Sequence, residues 1–193
     1  MAITYAKDAT AVLIMDFQNE IVANYASQDP DVTKRASSVL DAARRAGLLV
    51  VHVVVAFRPG HPEIAPRGLF KQMKGEGRFI QGSPEASIHN DVEPLAGDVV
   101  VTKRRVGAFT GSDLDMVLRA HGTQHLIIMG IATSGVVLTT VRMAADMDFE
   151  MTIVADCCTD QDQEVQQILI NKVFSRAATV STSHEVVAAL AKL

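Results

Sequence analysis

Thr10-Ala11-Val12-Leu13-Ile14-Met15 is a continuous apolar run that ends at an aspartate, Asp16. A β-strand that is covered on both faces has this form, because neither of its faces needs polar side chains. Strands of this kind occur almost only in parallel sheets that carry helices on both sides. The run at 10–15 therefore predicts an α/β protein with a central, mainly parallel sheet.

The rest of the chain alternates between strand-like and helix-like segments. Further strands are predicted at 48–55, 99–102, 124–129, 151–155 and 179–181, and helices at 31–46, 112–121, 134–147, 161–173 and 183–192. This alternation predicts a doubly wound, Rossmann-like three-layer sandwich that forms one domain over residues 1–193. Glycine and proline punctuate residues 57–97, where we expect long loops, at most a short helix, and a binding role.

Composition and charge argue against several classes of protein. The chain of 193 residues is 48% hydrophobic with a formal net charge of −4, and its single basic cluster, 103–105, is more typical of a solvated surface than of a nucleic-acid site. Cys157 and Cys158 are adjacent, a spacing that does not favour a disulfide. We find neither the layout of a signal peptide nor an apolar run long enough to span a bilayer. We expect a cytoplasmic protein that binds neither nucleic acid nor membrane.

Two charged residues mark the expected binding edge of the sheet. Ligands of open parallel sheets bind beyond the carboxyl ends of the strands, where Asp16 closes the first predicted strand and Lys103 follows the third. An aspartate there can equally be a turn cap, and a lysine there can be solvated. A partly buried carboxylate beside an ammonium group, however, can hold and move a proton. Asp16 and Lys103 are therefore expected to face each other across a pocket.

Three segments together resemble the isochorismatase-like (cysteine hydrolase) superfamily. They are Val12-Leu13-Ile14-Met15-Asp16-Phe17-Gln18-Asn19, the segment that opens with Thr102-Lys103-Arg104-Arg105, and Gly130-Ile131-Ala132-Thr133-Ser134-Gly135-Val136. The resemblance extends over nearly the whole chain and implies the same doubly wound fold. It also implies that Asp16 and Lys103 are the catalytic aspartate and lysine of the superfamily. The catalytic cysteine does not carry over, because its position is Val136.

This departure changes the expected chemistry. A valine has no lone pair with which to attack a carbonyl carbon, so the cysteine-dependent amidase activity of the superfamily is not expected. Cys157 and Cys158 are expected to follow the fifth strand, as structural residues or as part of the pocket wall. They are therefore poor substitutes for a thiol at position 136.

We expect neither a metal ion nor a cofactor. The nicotinamidase branch of the superfamily binds its ion with an Asp-x-His pair after the second strand, where this chain reads Ala56-Phe57-Arg58. His52 is expected inside a strand, and His61 and His89 are isolated in loops without the spacing of metal ligands. A contact between His61 and a substrate remains an alternative.

The superfamily also includes isochorismatases that lack the cysteine and hydrolyse a vinyl ether to release pyruvate. Protonation of the enol-ether carbon gives an oxocarbenium ion that water can attack, so a general acid is the main requirement. Asp16 would be this acid if burial raises its pKa more than Lys103 lowers it. The resemblance further implies a cis peptide bond between Ile131 and Ala132, with the backbone amides of Ala132 and Val136 directed into the pocket.

The predicted site and function follow from these residues. Substrate contacts are expected from Phe17, Gln18, Arg58, Arg104, Ala132 and Ser134. Either arginine could bind a substrate carboxylate with two parallel hydrogen bonds, or it could be solvated. We expect a hydrolase of a small, carboxylate-bearing substrate, with Asp16 as acid and base and Lys103 as its electrostatic partner.

Two questions stay open at this point. The chain could instead be a non-catalytic member of the superfamily that binds a small molecule or acts as a scaffold. We also expect a homodimer or homotetramer, for which the apolar helix at 137–145 could supply the interface, although the same stripe could belong to the core.

Overall fold

The computed structural model describes residues 3–193 and contains a six-stranded sheet in which every strand pair is parallel. The strands are β1 (Thr10–Met15), β2 (Leu49–Val55), β3 (Val99–Lys103), β4 (His125–Ile131), β5 (Glu150–Thr159) and β6 (Thr179–Ser181). Their spatial order is β3-β2-β1-β4-β5-β6. The order reverses between β1 and β4, and doubly wound proteins bind ligands at the carboxyl ends of strands beside such a point.

Helices cover both faces of the sheet. They are α1 (Asn19–Tyr25), α2 (Val32–Ala46), α3 (Lys71–Glu76), α4 (Leu114–Ala120), α5 (Leu138–Asp146), α6 (Gln163–Ile168) and α7 (Ser183–Leu190). Buried residues of α2 and α7 pack in one hydrophobic cluster on one face, and those of α4 and α5 pack in another on the opposite face. The prediction of a three-layer α/β fold is confirmed. Within residues 3–193, no helix has both the length and the apolar character needed to cross a membrane.

Strand β1 lies at the centre of this arrangement. All six of its residues are buried. Val12 and Ile14 belong to the cluster with α2 and α7, whereas Leu13 and Met15 belong to the cluster with α4 and α5. Because successive side chains of a strand point to opposite faces, both faces of β1 need apolar residues, which explains the unbroken run in the sequence.

The segment between β2 and β3 has the predicted long loops, together with the short helix α3 and a 3₁₀ turn at Asn90–Val92. It also has a small hydrophobic cluster of its own, formed by Val55, Phe57, Ile64, Phe79 and Ala86. His61 is buried at 2% exposure, and its ring Nε2 lies 2.7 Å from the carbonyl oxygen of Arg78. This segment is therefore packed rather than loosely exposed where it adjoins the sheet.

The predicted end of the fifth strand is wrong. Strand β5 continues through Asp156 to Thr159, so Cys157 and Cys158 lie inside the strand and not after it. A register shift opposite Ile128 and Gly130 of β4 leaves room for the extra residues. At this irregularity the carboxylate of Asp156 accepts hydrogen bonds from the backbone N–H and hydroxyl groups of Ser183, at the start of α7. A polar residue thus sits within a strand because it caps a neighbouring helix.

Three helix boundaries also differ from the prediction. The helix after β4 begins with a π-helical turn at Thr133–Val137 and becomes α-helical at Leu138. Helix α4 begins at Leu114, after Asp113, whose side chain makes no capping hydrogen bond. Helix α6 ends at Ile168 and passes into a second π-helical turn. Helix α1 was not predicted, because it has only seven residues.

Gly130 is the position where β4 approaches the following turn most closely. A Cβ atom at this position would lie 2.8 Å from Val137 Cγ2 and 3.4 Å from Met15 Cβ. We expect Gly130→Ala to lower the free energy of unfolding by roughly 1–3 kcal/mol, because the methyl group overpacks the core. Urea denaturation measures this change. The matched control is Gly75→Ala in α3. There the added Cβ would have no atom within 4 Å apart from its chain neighbours and the backbone of its own helix. Equal losses of unfolding free energy in both variants would contradict the prediction.

Candidate active site

The structure brings Asp16 and Lys103 together. Asp16 directly follows β1, and Lys103 is the last residue of β3, two strands away. The Lys103 Nζ lies 2.9 Å from Asp16 Oδ2 across the end of β2. The two residues are only 6% and 2% exposed, respectively. Asp16 has a positive φ of 59°, a conformation that aspartate tolerates better than most residues and that is frequent at functional sites.

The two oxygens of the Asp16 carboxylate have different surroundings. Oδ2 accepts the Lys103 contact, and the same ammonium donates a second hydrogen bond to the carbonyl oxygen of Arg105 at 3.0 Å. Oδ1 is buried and has no hydrogen-bond partner among residues 3–193. Burial raises the pKa of Asp16, and the opposing effect of the Lys103 ammonium group does not cancel this rise. Asp16 therefore holds a proton to higher pH than an exposed aspartate does.

The turn after β4 forms the neighbouring wall. The Ile131–Ala132 peptide bond is cis, as the resemblance implied. Val136 is 2% exposed and packs in the cluster with α4 and α5, so position 136 offers only hydrocarbon. Ser134 is exposed, and its backbone N–H donates to Asp160 Oδ2 at 2.7 Å. The hydroxyl of Thr133 is buried without a partner among residues 3–193, and this orphaned donor could bind a polar group of a ligand.

The two cysteines do not have the properties of a nucleophile. Cys157 packs on the face with α2 and α7, and Cys158 on the opposite face. Burial raises the pKa of both thiols, that of Cys158 to about 12. At neutral pH both therefore remain thiols, whereas the thiolate is the reactive form.

Gln18 and Phe17 both contact other parts of the protein. The two amide hydrogens of Gln18 bind the carbonyl oxygens of Val55 (2.9 Å) and Ala86 (2.6 Å). Its Oε1 accepts the Val55 N–H at 2.9 Å, and the side chain is fully buried. Phe17 is 2% exposed and packs in the core. In this arrangement Gln18 fastens the loop segment to the end of β2, and its amide has no N–H group left for a substrate.

Arg58 and Arg104 come together on one carboxylate. Arg58 Nη1 lies 2.6 Å from Glu63 Oε1, and Arg104 Nε lies 3.5 Å from the same oxygen. Arg104 also donates to the carbonyl oxygen of Ala56, which directly follows β2. The side chain of Arg58 is 63% exposed, whereas those of Arg104 and Glu63 are 17% and 13% exposed. Both arginines lie at the predicted edge of the sheet, but they contact a protein carboxylate.

Sequence reasoning missed three of the residues that surround the site. Glu63 lies in a loop without periodicity, and no sequence signal connects it to Arg104. The hydroxyl of Thr133 could be judged only once its burial was known. Asp160 was not predicted as a site residue, because the sequence did not show that β5 extends to Thr159. Across residues 3–193, no group of three or more His, Cys, Asp or Glu side chains is arranged to hold a metal ion.

Comparison with known proteins identifies relatives. Residues 10–185 match the model of the isochorismatase domain. The isochorismatase family protein YwoC of Bacillus subtilis is 29% identical over 180 residues, covering 91% of each chain. The ureidoacrylate amidohydrolase RutB of Caulobacter vibrioides is 30% identical over 169 residues, covering 76% of this chain and 75% of RutB. An isochorismatase family protein from Burkholderia thailandensis superimposes with a TM-score of 0.84 at 27% identity, covering 98% of this chain and 100% of that one.

The parallel sheet and the buried carboxylate–ammonium pair beside its switch point define an α/β protein with an enzyme-like site. The match over residues 10–185 makes the assignment specific. The chain belongs to the isochorismatase family of hydrolases.

The raised pKa of Asp16 predicts a pH dependence of stability. Its folded-state pKa lies above the unfolded value of about 3.9, so the folded state binds the proton more tightly. The stability that this proton contributes is fully present below the unfolded pKa and is lost as the pH rises through the folded pKa. We expect the difference in unfolding free energy between wild type and Asp16→Asn to fall across this window, by at most about 1.4 kcal/mol per pH unit.

Urea denaturation at a series of pH values measures this difference, and Asp98→Asn provides the matched control. The Asp98 side chain is only 6% exposed, but hydrogen bonds from Arg44, Leu95 and His52 outweigh the effect of burial and lower its pKa. Its contribution is present above the unfolded pKa and is lost as the pH falls, which is the opposite sign. A difference for Asp16→Asn that rises with pH would contradict the assignment.

Proposed function

We propose that this protein hydrolyses a small, carboxylate-bearing vinyl ether without a cysteine nucleophile, with Asp16 as the general acid and Lys103 as its electrostatic partner. The observation that carries the proposal is the asymmetry of the Asp16 carboxylate. Oδ2 faces the ammonium group of Lys103, whereas Oδ1 is buried without a partner among residues 3–193. The free oxygen is the one that can carry a proton to a substrate, and the raised pKa favours that proton.

In the proposed reaction, the proton on Asp16 Oδ1 is transferred to the terminal carbon of the enol-ether double bond. The resulting cation is shared between the adjacent carbon and the ether oxygen, and water adds to that carbon. The water loses one proton, which reprotonates Asp16, and its other proton goes to the ether oxygen as the carbon–oxygen bond breaks. The products are an alcohol and a ketone. Lys103 stabilises the Asp16 carboxylate while the proton is away.

The surroundings of position 136 support a mechanism without a thiol. Val136 stands where the hydrolytic cysteine is expected, and burial keeps Cys157 and Cys158 in the unreactive thiol form. RutB is named for an amide substrate, and amide hydrolysis by a family thiol would need sulfur at position 136. We therefore propose vinyl-ether chemistry and not amide chemistry for this chain.

A second candidate is a non-catalytic protein that binds a small molecule in the same place. It is favoured by the satisfied state of three expected substrate contacts: Gln18, Arg58 and Arg104 all bind protein groups. The two candidates share the site and differ in whether Asp16 transfers a proton.

A panel of vinyl ethers of pyruvate, together with amides and esters, separates the two candidates. We expect Asp16→Asn to reduce kcat/KM for the preferred vinyl ether by about 10²–10⁴-fold, because the amide cannot donate an acidic proton. In the wild type, kcat/KM should fall as the pH rises through the pKa of Asp16, because the acid loses its proton. The control is Asp31→Asn, which changes an exposed carboxylate paired with Lys34.

Two results would count against the proposal. Turnover that is unchanged in Asp16→Asn would remove Asp16 as the acid. Absence of turnover with every compound, combined with measurable binding, would favour the non-catalytic protein.

A further inference from the structure

Glu63 has the contacts that a bound carboxylate would have. Its Oε1 lies within 2.6 Å of Arg58 Nη1 and within 3.5 Å of Arg104 Nε, and it accepts the Arg58 backbone N–H at 3.4 Å. Its Oε2 is buried and has no hydrogen-bond partner among residues 3–193. A carboxylate with one oxygen on two arginines and the other unsatisfied is bound incompletely, because a buried, unpartnered oxygen costs free energy.

Glu63 also connects the loop to the rest of the binding edge. Arg104 follows Lys103 in the chain and donates to the carbonyl oxygen of Ala56, whereas Arg105 Nη2 donates to the carbonyl oxygen of Glu63 at 2.9 Å. The carbonyl oxygen of Arg105 in turn accepts from Lys103. Glu63 is thus two hydrogen-bonded steps from the ammonium group that holds Asp16.

The charge of this region favours an anion. In residues 56–78 and 103–105, Arg58, Arg67, Lys71, Lys74, Arg78, Lys103, Arg104 and Arg105 are cationic, whereas Glu63 and Glu76 are the only acidic residues. The whole chain has a net charge of −4, so these two segments are richer in cations than the rest of the chain, and two of the cations, Lys103 and Arg78, pair with Asp16 and Glu20. Such a field attracts anionic ligands and raises their local concentration.

We propose that the Glu63 carboxylate occupies the arginine site of an incoming carboxylate ligand and is displaced when that ligand binds. The ligand carboxylate takes the place of Oε1 on Arg58 and Arg104, which keeps the arginines paired in both states. The inference rests on the proposed function for the nature of the substrate, and it identifies the anion-binding groups of that site.

Displacement of Glu63 also bears on access to Asp16. The Asp16 Oδ1 is buried, so a substrate reaches it only if atoms that cover the site move. The contacts of Glu63 join the loop after β2 to the residues after β3. When a ligand carboxylate replaces the Glu63 carboxylate on the arginines, the contacts between the loop after β2 and the residues after β3 are released. A neutral molecule cannot replace the carboxylate and does not release them.

Calorimetric titration with pyruvate tests the competition directly. We expect Glu63→Gln to lower the Kd for pyruvate by roughly tenfold, because the amide fills the same space without a competing charge. Arg58→Gln should raise the Kd. The matched control is Glu76→Gln, which removes an acidic residue of the same loop that pairs with Arg78 at 3.3 Å; it should bind as the wild type does.

The outcomes are distinct. A Kd for Glu63→Gln within twofold of the wild type, or an equal gain in Glu76→Gln, would overturn the inference, as would a lack of pyruvate binding in both proteins. If Glu63→Gln does not fold, hydrogen exchange of the wild type decides: pyruvate should speed exchange of the Arg58 amide, which Glu63 holds, and unchanged or slower exchange would refute the displacement.

The same titration separates this inference from the proposed reaction. Glu63→Gln could bind pyruvate more tightly although the wild type turns over none of the vinyl ethers. That combination would support the anion site and contradict the proposed reaction.

Discussion

The contact between Asp16 and Lys103 is the interaction on which the functional site depends. Both charges are almost completely withdrawn from water, which costs several kcal/mol for each ion. Their attraction opposes this cost, because the two groups meet at 2.9 Å and Lys103 has a second partner in the Arg105 carbonyl oxygen, but it does not cancel the effect of burial on the pKa of Asp16. Loss of Asp16 would leave the buried Lys103 ammonium group without its carboxylate partner, and loss of Lys103 would remove the group that opposes the rise in the pKa of Asp16.

The sheet makes this contact possible. Asp16 and Lys103 are far apart in sequence, but parallel strands present their carboxyl ends at one edge. Strand β2 lies between β1 and β3, and the lysine side chain is long enough to reach across its end. The Gln18 amide and the small core under the loop segment then fix that end from the other side. The site is therefore a product of strand order as much as of the two residues.

The environment of Asp16 separates the roles of its two oxygens. A carboxylate in water is symmetric, and its pKa is too low for it to act as a general acid near neutral pH. Here Lys103 stabilises the charged form through one oxygen, and burial disfavours that form for the whole group. Val136 offers only hydrocarbon, and burial keeps Cys157 and Cys158 in the thiol form, so neither cysteine supplies a thiolate at neutral pH. Arg58 and Arg104, with Glu63 between them, form the site that we propose for a carboxylate ligand.

Much of the fold could be predicted from the sequence, because its signals are local. The apolar run at 10–15 predicts its strand directly, and the alternation of strand-like and helix-like segments restricts the topology. The error in β5 arose because Asp156 looks like the end of a strand, whereas it caps α7 through a contact between residues distant in sequence.

Residue type and position along the chain were enough to establish the fold class and to predict Asp16, Lys103 and the valine at position 136 as residues of the candidate site. The three-dimensional arrangement was needed to show which oxygen of Asp16 lacks a partner among residues 3–193, in which direction its pKa shifts, and that Glu63 contacts the two arginines. Those properties depend on burial and on distances between segments that lie far apart in sequence, and neither quantity is encoded in any local pattern.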